Sequence, residues 1–210
     1  MSISFQDIYT KALDIEWLKQ PFSGFNLDSR KVQTGQIFIA LTSYSQPEKT
    51  LSFAQKALES GALGIISEQP LGLANEWVCP DVRLQMGRWQ RDYLQKTDPV
   101  KPARILAVTG TNGKTTISRL MAELISLQQQ RCAVFGTTGN GILPHLNPST
   151  HTTLDALQLQ TLLHDYAKQG ATFASLEASS HGLEQGRLNG CDIEIAVYSN
   201  LSRDHLDYHG

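Results

Sequence analysis

A glycine-containing loop lies between an apolar run and an amphipathic run, and its residues are Gly110, Thr111, Asn112, Gly113, Lys114, Thr115 and Thr116. In such a loop the glycines let backbone N–H groups turn towards phosphate oxygens, and the following helix adds the free N–H groups and positive dipole of its N-terminus. Lys114 would reach the β- and γ-phosphates, and the Thr115 hydroxyl would ligate Mg²⁺. The commonest pattern, GxxxxGK[ST], would place a glycine at Val108, so this is a shorter form of the loop. The sequence therefore predicts an ATP-binding site at residues 110–116.

An acid and a histidine-rich segment follow two other apolar runs: Glu177 comes after one, and the segment 204–209 (DHLDYH) after another. Ligands of open α/β sheets bind at the carboxyl ends of strands, so we expect Glu177 and His205 to lie near the nucleotide and its metal. The alternatives are a solvated loop acid and a polar loop whose histidines only form hydrogen bonds. His205 and His209 are spaced like a zinc pair, but Leu206 stands where the HExxH pattern needs glutamate.

Hydroxyl groups and a guanidinium follow Glu177. The segment 179–182 (SSHG) lacks the G-x-S-x-G pattern of a serine nucleophile, and no aspartate partner can be assigned to it. We interpret Ser179 as a hydrogen-bonding group for a polar ligand. Arg187 could pair with a phosphate or a carboxylate, the alternative being an ordinary surface cation.

Strand-like and helix-like runs alternate along the chain, which predicts an α/β fold. The predicted strands are residues 36–41, 62–66, 104–109, 132–137, 173–176 and 193–198, and the predicted helices are 51–59, 117–129 and 154–169, the last with Thr153 as its N-cap. Strands separated by helices of this length favour a mostly parallel sheet with right-handed crossovers.

The proline-containing segment 97–103 (TDPVKPA) indicates a division of the chain. We predict a small N-terminal α/β substrate domain at residues 1–98, a linker at 99–103 and a phosphate-loop ATPase domain at 104–210. A sheet of about four strands would normally continue, so we expect the second domain to be incomplete and the 210 residues to be the front part of a longer protein.

Composition excludes several partners. The net charge is −2, from 18 basic and 20 acidic residues, which gives no reason to expect nucleic acid or an anionic membrane. The three cysteines form no CxxC or zinc pattern and are interpreted as core residues of a reducing compartment. No signal peptide and no apolar run of membrane-spanning length is present, so we expect a cytoplasmic protein that is a monomer and does not insert into a membrane.

Taken together, these motifs resemble the Mur ligase family. The segments that carry the resemblance are NLDSRKVQTGQIFIAL (26–41), TGTNGKTT (109–116), TTGNG (137–141), HTT (151–153), LEASSHGLEQGR (176–187) and NLSRDHLDYHG (200–210). Within the family, the chain is most similar to the branch that adds the third amino acid to the peptidoglycan precursor.

The resemblance implies an ATP-dependent, ADP-forming amide ligase that acts in cell-wall synthesis, and hence in cell shape and division. It would join an amino acid, by resemblance meso-diaminopimelate, to UDP-MurNAc-L-Ala-D-Glu. The catalytic residues would be Lys114, Glu177 and His205, with Thr115, Glu177 and His205 at Mg²⁺. The matching precursor-binding positions are Leu27, Ser29, His151, Thr152, Thr153, Ser179, Gln185 and Arg187.

Departures and alternatives accompany this resemblance. His151 stands where that branch often has asparagine, and the family's carbamylated lysine and C-terminal amino-acid domain lie beyond residue 210, so we expect no turnover from these residues alone. A ligase like folylpolyglutamate synthetase has a similar phosphate loop, although that family normally begins at its ATPase domain. A nucleotide-binding module without catalysis is the alternative of another class.

Overall fold

The computed structural model describes residues 3–11, 13–43, 46–149 and 151–203. The chain forms two compact units, Met1–Pro99 and Val100–Gly210, whose boundary falls inside the proline-containing segment 97–103. Both units combine helices with parallel strands, which confirms the predicted α/β class. In the described part of the chain, no helix is both long and apolar enough to cross a lipid bilayer.

The first unit contains a four-stranded parallel sheet and a two-stranded antiparallel ribbon. The ribbon pairs β1 (Ile3–Ser4) with β2 (Pro21–Phe22), and the sheet has the order β3 (Phe25–Asn26), β4 (Ile37–Ala40), β5 (Gly64–Ser67), β6 (Glu76–Val78). Two helices, α1 (Thr50–Glu59) and α2 (Val82–Thr97), complete it, together with short 3-10 helices at Phe5–Asp7, Glu16–Lys19 and Pro47–Lys49. The structure confirms the predicted strand and helix that correspond to β4 and α1.

The sequence pattern missed α2, although its buried residues Val82, Met86 and Trp89 are spaced for one helical face. Trp89 joins an aromatic cluster in the core of the unit, where its ring centroid lies 5.1 Å from that of Phe5 and 5.7 Å from that of Trp77. The Phe5–Trp89 contact is edge-to-face, an arrangement that stabilises beyond the buried area of the rings.

The second unit is built on a six-stranded sheet with the order β10-β9-β8-β11-β7-β12. Its strands are β7 (Arg104–Thr109), β8 (Cys132–Gly136), β9 (Gly139–Ile142), β10 (His145–Asn147), β11 (Phe173–Glu177) and β12 (Ile193–Tyr198). The four strands β8, β11, β7 and β12 are parallel, as predicted, whereas β9 and β10 run antiparallel beside β8. The helices are α3 (Lys114–Leu127), α4 (Ala156–Lys168) and α5 (Ser180–Glu184).

Two details of this unit differ from the sequence prediction. Thr153 is not the N-cap of α4, because Asp155 holds that position and its carboxylate accepts from Gln158 N at 2.9 Å. The hairpin of β9 and β10 was not predicted, since glycines such as Gly139 and Gly141 weaken a strand pattern. Here they are required, because a Cβ at Gly139 would lie 2.5 Å from Asn147 O.

The parallel pairing sets the position of the polar residues in the second unit. Glu177 lies beside Val108 in the register of β11 and β7, and Leu176 lies beside Phe135 in the register of β11 and β8. The carboxyl ends of β7, β8 and β11 therefore meet at one edge of the sheet, as open α/β sheets require of a ligand site.

Candidate functional site

The phosphate loop connects β7 to α3 and leaves several N–H groups free at the helix start. Gly113, the N-cap, has a φ of 87°, a left-handed conformation that favours glycine. The first bond of the helix runs from Ile117 N to Gly113 O at 2.9 Å, so the N–H groups of Lys114, Thr115 and Thr116 have no partner within the helix. The helix start thus has the N–H donors that the predicted phosphate site requires.

Lys114 lies folded back over the loop. Its ammonium donates to Gly110 O at 2.6 Å and to Thr111 O at 3.1 Å. The cation is therefore held at the mouth of the loop by the loop's own carbonyl groups. A phosphate that binds there would compete with these carbonyls for the ammonium.

Glu177 is the buried acid of the site, with 2% of its surface exposed. One carboxylate oxygen, Oε1, accepts from Thr137 N at 3.0 Å, and the other, Oε2, accepts from Thr115 Oγ1 at 2.9 Å and Thr137 Oγ1 at 3.1 Å. Burial excludes the alternative of a solvated loop acid. The site thus brings the phosphate-loop hydroxyl and the carboxylate into direct contact across two strand ends.

Two residues of this cluster were missed as site residues by the sequence reasoning. Thr137 supplies two of the bonds to Glu177, and a Cβ at Gly136 would overlap the Glu177 carboxylate, so only glycine fits there. Gly136 is the last residue of β8, and Thr137 is the first residue of the segment TTGNG, which carries part of the family resemblance. The signal was therefore present, but only the three-dimensional register shows which oxygen each residue contacts.

Thr153 and Ser179 form a second, internal hydrogen-bond cluster. The Thr153 hydroxyl, in a residue 4% exposed, donates to Glu177 O at 2.8 Å and accepts from Ser179 N at 3.0 Å, with Ser179 Oγ also 3.0 Å away. Ser179 is the N-cap of α5, where its Oγ accepts from Gly182 N at 3.1 Å. A hydroxyl has one donor and two acceptor positions, so the Thr153 hydroxyl is saturated by internal partners.

Arg187 and Gln185 lie beside that cluster. The guanidinium donates to Thr153 O at 2.7 Å and, from its Nε and Nη2 atoms, to Gln185 Oε1 at 3.0 and 2.7 Å. Arg187 is half-buried. A cation held in this way presents a fixed, planar set of donors, which suits carboxylate or phosphate recognition.

The remaining predicted residues of the second unit lie at its surface or outside the described residues. His151 is exposed, and Thr152 Oγ1 lies 3.2 Å from Thr137 Oγ1, which joins it to the Glu177 cluster. His205 lies outside the described residues. Within the described ranges no group of three or more His, Cys, Asp or Glu side chains could hold a metal ion. Metal ligation at this site would therefore rest on Glu177 and Thr115 among the described residues.

In the first unit, Leu27 and Ser29 line a cavity of about 550 Å³ together with Phe53 and Lys56. Ser29 is buried, with 5% of its surface exposed. Between them, Asp28 accepts two hydrogen bonds from the Arg30 guanidinium, at 2.9 and 2.8 Å. These bonds lower the pKa of the Asp28 carboxyl to about 2 from its ordinary value of 3.8. The cavity lining therefore includes the Asp28–Arg30 ion pair and a further cation, Lys56.

Buried thiols account for two of the three cysteines. Burial raises the pKa of the Cys79 thiol to about 12, with a further contribution from its hydrogen bond to Asp81, and burial raises that of Cys132 to about 11. Both are buried, whereas Cys191 is half-buried and its sulfur accepts from Gln160 Nε2 at 3.2 Å. Cys79 and Cys132 are thus core residues, as the sequence predicted.

Comparison with known proteins places these features in one family. Residues 108–210 match the Mur ligase middle domain. The UDP-N-acetylmuramoyl-L-alanyl-D-glutamate–2,6-diaminopimelate ligase of Chromobacterium violaceum is 38% identical over 93% of this chain and 40% of its own length. The ligase of the same name from Vibrio cholerae is 40% identical over 88% of this chain and 38% of its own length.

Solved structures are similar in fold. A structure of UDP-N-acetylmuramoyl-L-alanyl-D-glutamate–2,6-diaminopimelate ligase is 78% identical, with a TM-score of 0.94, over 100% of this chain and 42% of that chain. MurF ligase from Thermotoga maritima, in complex with ADP, has a TM-score of 0.56 at 21% identity over 84% of this chain and 37% of its own, a likeness that concerns the fold alone.

The chain spans about 40% of the length of the curated relatives that it matches. Over that span, the loop after β7 and the buried acid at the end of β11 lie at the same edge of a mostly parallel sheet. By its sequence matches and by its fold, the chain belongs to the Mur ligase family.

Proposed function

We propose that this chain supplies the nucleotide-binding and precursor-binding part of an ATP-dependent, ADP-forming ligase. The ligase would add the third amino acid, meso-diaminopimelate, to UDP-MurNAc-L-Ala-D-Glu in peptidoglycan synthesis. The observation that carries the proposal is the contact between the phosphate-loop hydroxyl of Thr115 and the buried carboxylate of Glu177. The names of the relatives support the choice of substrate and amino acid.

The nucleotide would bind over the start of α3. The free N–H groups of Lys114, Thr115 and Thr116 would face its phosphates, and the Lys114 ammonium would leave the loop carbonyls for the β- and γ-phosphates. The ADP complex of the related MurF ligase supports a nucleotide on this fold. Residues 110–116 are thus proposed to hold ATP.

A magnesium ion fits the oxygen atoms available. Mg²⁺ prefers hard oxygen ligands, takes few from the protein and keeps several waters, which matches one hydroxyl and one carboxylate. Thr115 and Glu177 would hold it, with His205 as the further residue that the family resemblance predicts. When bound, the ion would neutralise charge on the nucleotide phosphates.

The chemistry that the residues must support is the approach of two anions. In the proposed reaction the terminal carboxylate of the precursor attacks the γ-phosphate of ATP, which gives an acyl phosphate and ADP. The amine of the amino acid then attacks the acyl carbon, the tetrahedral intermediate collapses to the amide, and inorganic phosphate leaves. Lys114 would stabilise the charge that moves between the two phosphates, since fixed cations at a developing charge lower the barrier most.

Precursor-binding residues are proposed in each unit taken by itself, from the family resemblance. In the second unit, Arg187 offers fixed donors to a carboxylate or phosphate, near Ser179 and Gln185. In the first unit, Leu27 and Ser29 would contact the uridine part at the cavity described above. A ligase that uses ATP and a UDP-linked precursor would act in the cytoplasm, where both are supplied.

The proposal is tested by titration calorimetry of the 210-residue chain with UDP-MurNAc-L-Ala-D-Glu and with a non-hydrolysable ATP analogue, each with and without Mg²⁺. Lys114→Ala should remove nucleotide binding, and Arg187→Ala should weaken precursor binding. The matched controls are Lys101→Ala and Arg119→Ala, which delete cations of the same unit that lie outside the site.

Saturable precursor binding that depends on Arg187 but not on Arg119 supports the ligase assignment. Nucleotide binding lost in Lys114→Ala, combined with no precursor binding by folded protein, would instead favour a nucleotide-binding module. Absence of both from folded protein contradicts the proposal.

A further inference from the structure

We propose that Asn200 is a positioning residue that sets the shape of the phosphate loop through a two-point pairing with the Asn112 peptide. The inference rests on the proposed nucleotide-binding function of that loop. It assigns a role to a residue that contacts neither the proposed metal pair nor the proposed precursor residues.

The pairing uses both ends of the side-chain amide. Asn200 Oδ1 accepts from Asn112 N at 3.0 Å, and Asn200 Nδ2 donates to Asn112 O at 2.8 Å. The backbone of Asn200 adds a third bond, because its carbonyl accepts from Thr111 N at 3.1 Å. An amide side chain thus replaces the strand partner that the loop would have if β7 continued.

The rest of the segment 199–202 follows the loop in the same way. Ser199 N donates to Thr109 O at 2.9 Å, which extends the pairing of β12 with β7 past the strand ends. Thr111 Oγ1 accepts from Ser202 N at 2.9 Å and lies 3.2 Å from Ser202 O. Asn200 therefore lies in the middle of a continuous set of bonds between this segment and the loop.

Close approach of the two segments depends on glycine. A Cβ at Gly110, whose φ is 130°, would lie 2.8 Å from Asn200 O and 2.9 Å from Asn200 N. Packing against Asn200 therefore requires glycine at position 110, independently of any ligand. It lets the Asn200 backbone lie directly against the loop.

The consequence concerns which N–H groups can face a phosphate. Asn200 accepts hydrogen bonds from the N–H groups of Thr111 and Asn112, through its backbone carbonyl and its side-chain oxygen respectively. The N–H groups of Lys114, Thr115 and Thr116, which have no acceptor within the helix, all lie at the N-terminus of α3. Asn200 would in this way direct the loop towards a ligand at the start of α3. Loss of its side chain would remove the acceptor of the Asn112 N–H and one of two donors to Asn112 O, the other being Ser199 Oγ at 2.7 Å.

An acid in place of the amide gives a specific test. Asn200→Asp keeps the acceptor for Asn112 N but replaces the donor with a second acceptor, which faces Asn112 O and repels it. The Asn112 N–H should therefore stay protected from hydrogen exchange in Asn200→Asp, whereas a residue that acts only through general stability would lose that protection in both variants.

The experiment measures ADP affinity in the presence of Mg²⁺ for the 210-residue chain at pH 8, each variant relative to wild type. Loss of the side-chain pairing, two hydrogen bonds at an exposed site, is expected to weaken ADP binding about tenfold in Asn200→Ala. Asn200→Asp should be at least as weak. The matched control is Leu201→Ala, whose side chain is 82% exposed.

Each outcome decides one claim. ADP affinity of both Asn200 variants within twofold of Leu201→Ala, with binding still lost in Lys114→Ala, would overturn the role of Asn200 and leave the nucleotide site standing. No ADP binding by the folded wild-type chain would overturn the proposed nucleotide site, and with it this inference. Amide hydrogen exchange supplies a readout without nucleotide: the Asn112 N–H should be protected in wild type and lose that protection in Asn200→Ala.

Discussion

Replacing Glu177 separates the structural role of this buried carboxylate from its proposed role at the metal. Its two oxygens accept three hydrogen bonds, from Thr115 Oγ1, Thr137 Oγ1 and Thr137 N, at 2.9 to 3.1 Å. In Glu177→Gln, the amide oxygen can keep the bond from Thr137 N. The amide NH₂ can donate to the two threonine hydroxyls, which rotate from donating to accepting.

The magnitudes follow from this geometry. Glu177→Gln should lower the free energy of unfolding by about 1 kcal/mol or less, because every polar group retains a partner. Glu177→Ala should lower it by about 3 kcal/mol, since it leaves the Thr137 N–H without its acceptor and opens a cavity at a 2% exposed site. Both variants should lose the Mg²⁺-dependent part of nucleotide binding, by at least about tenfold, because each removes the charged member of the proposed Thr115 and Glu177 ligand pair.

The assay combines urea unfolding with calorimetry of a non-hydrolysable ATP analogue, with and without Mg²⁺. The expected pattern is a nearly unchanged urea midpoint in Glu177→Gln together with loss of the Mg²⁺ effect. A Glu177→Gln variant that responds to Mg²⁺ as wild type does would refute the metal role. A large fall in the urea midpoint of Glu177→Gln would refute the hydrogen-bond reasoning.

Three further predictions concern hydrogen bonds, acid stability and thiol reactivity. Thr153→Val should lower the free energy of unfolding, measured in urea, by about 2 kcal/mol, because Glu177 O and Ser179 N lose their partner. Thr153→Ser keeps the hydroxyl and should retain most of the wild-type stability. Equal free energies of unfolding for the two variants would contradict this reasoning. Asp28, with a folded pKa of about 2 against 3.8, binds fewer protons folded than unfolded, so its contribution of about 1 kcal/mol is complete above pH 4 and lost as the pH falls through 2. Asp28→Asn should accordingly flatten the pH dependence of the urea midpoint below pH 4, and an unchanged slope would count against the pairing. At pH 8 iodoacetamide should modify Cys191 before the buried thiols of the native protein, as mass spectrometry would show, and equal rates would contradict their burial.

Much of the second unit follows from the sequence because its signals are local. The runs at β7 and β12 are apolar and lie between clear breaks, and their predicted bounds coincide with Arg104–Thr109 and Ile193–Tyr198. The phosphate loop is similarly local, since its glycines, lysine and hydroxyl are adjacent in the chain. Such features need no knowledge of distant contacts.

What the sequence could not give depends on contacts between distant residues. Thr153 and Asp155 are both suitable N-caps by type, and the choice falls to Asp155 because the Thr153 hydroxyl is bound to Glu177 O and Ser179 N. The role of Thr137 depends on the register of β8 and β11, which brings it within 3.0 Å of Glu177. The pairing of Asn200 with the loop joins residues that are 88 apart in the chain.

The central claim is that this sequence forms the ATP-binding and precursor-binding part of a ligase, and a chimaera tests it most directly. The 210 residues would be joined to the remaining part of the 78% identical ligase, and ADP release would be measured with UDP-MurNAc-L-Ala-D-Glu, ATP, Mg²⁺ and meso-diaminopimelate. ADP release that requires both the precursor and the amino acid, and that is lost in Lys114→Ala, is the predicted result. A folded chimaera that releases no ADP under these conditions, or releases it without the precursor, would contradict the account.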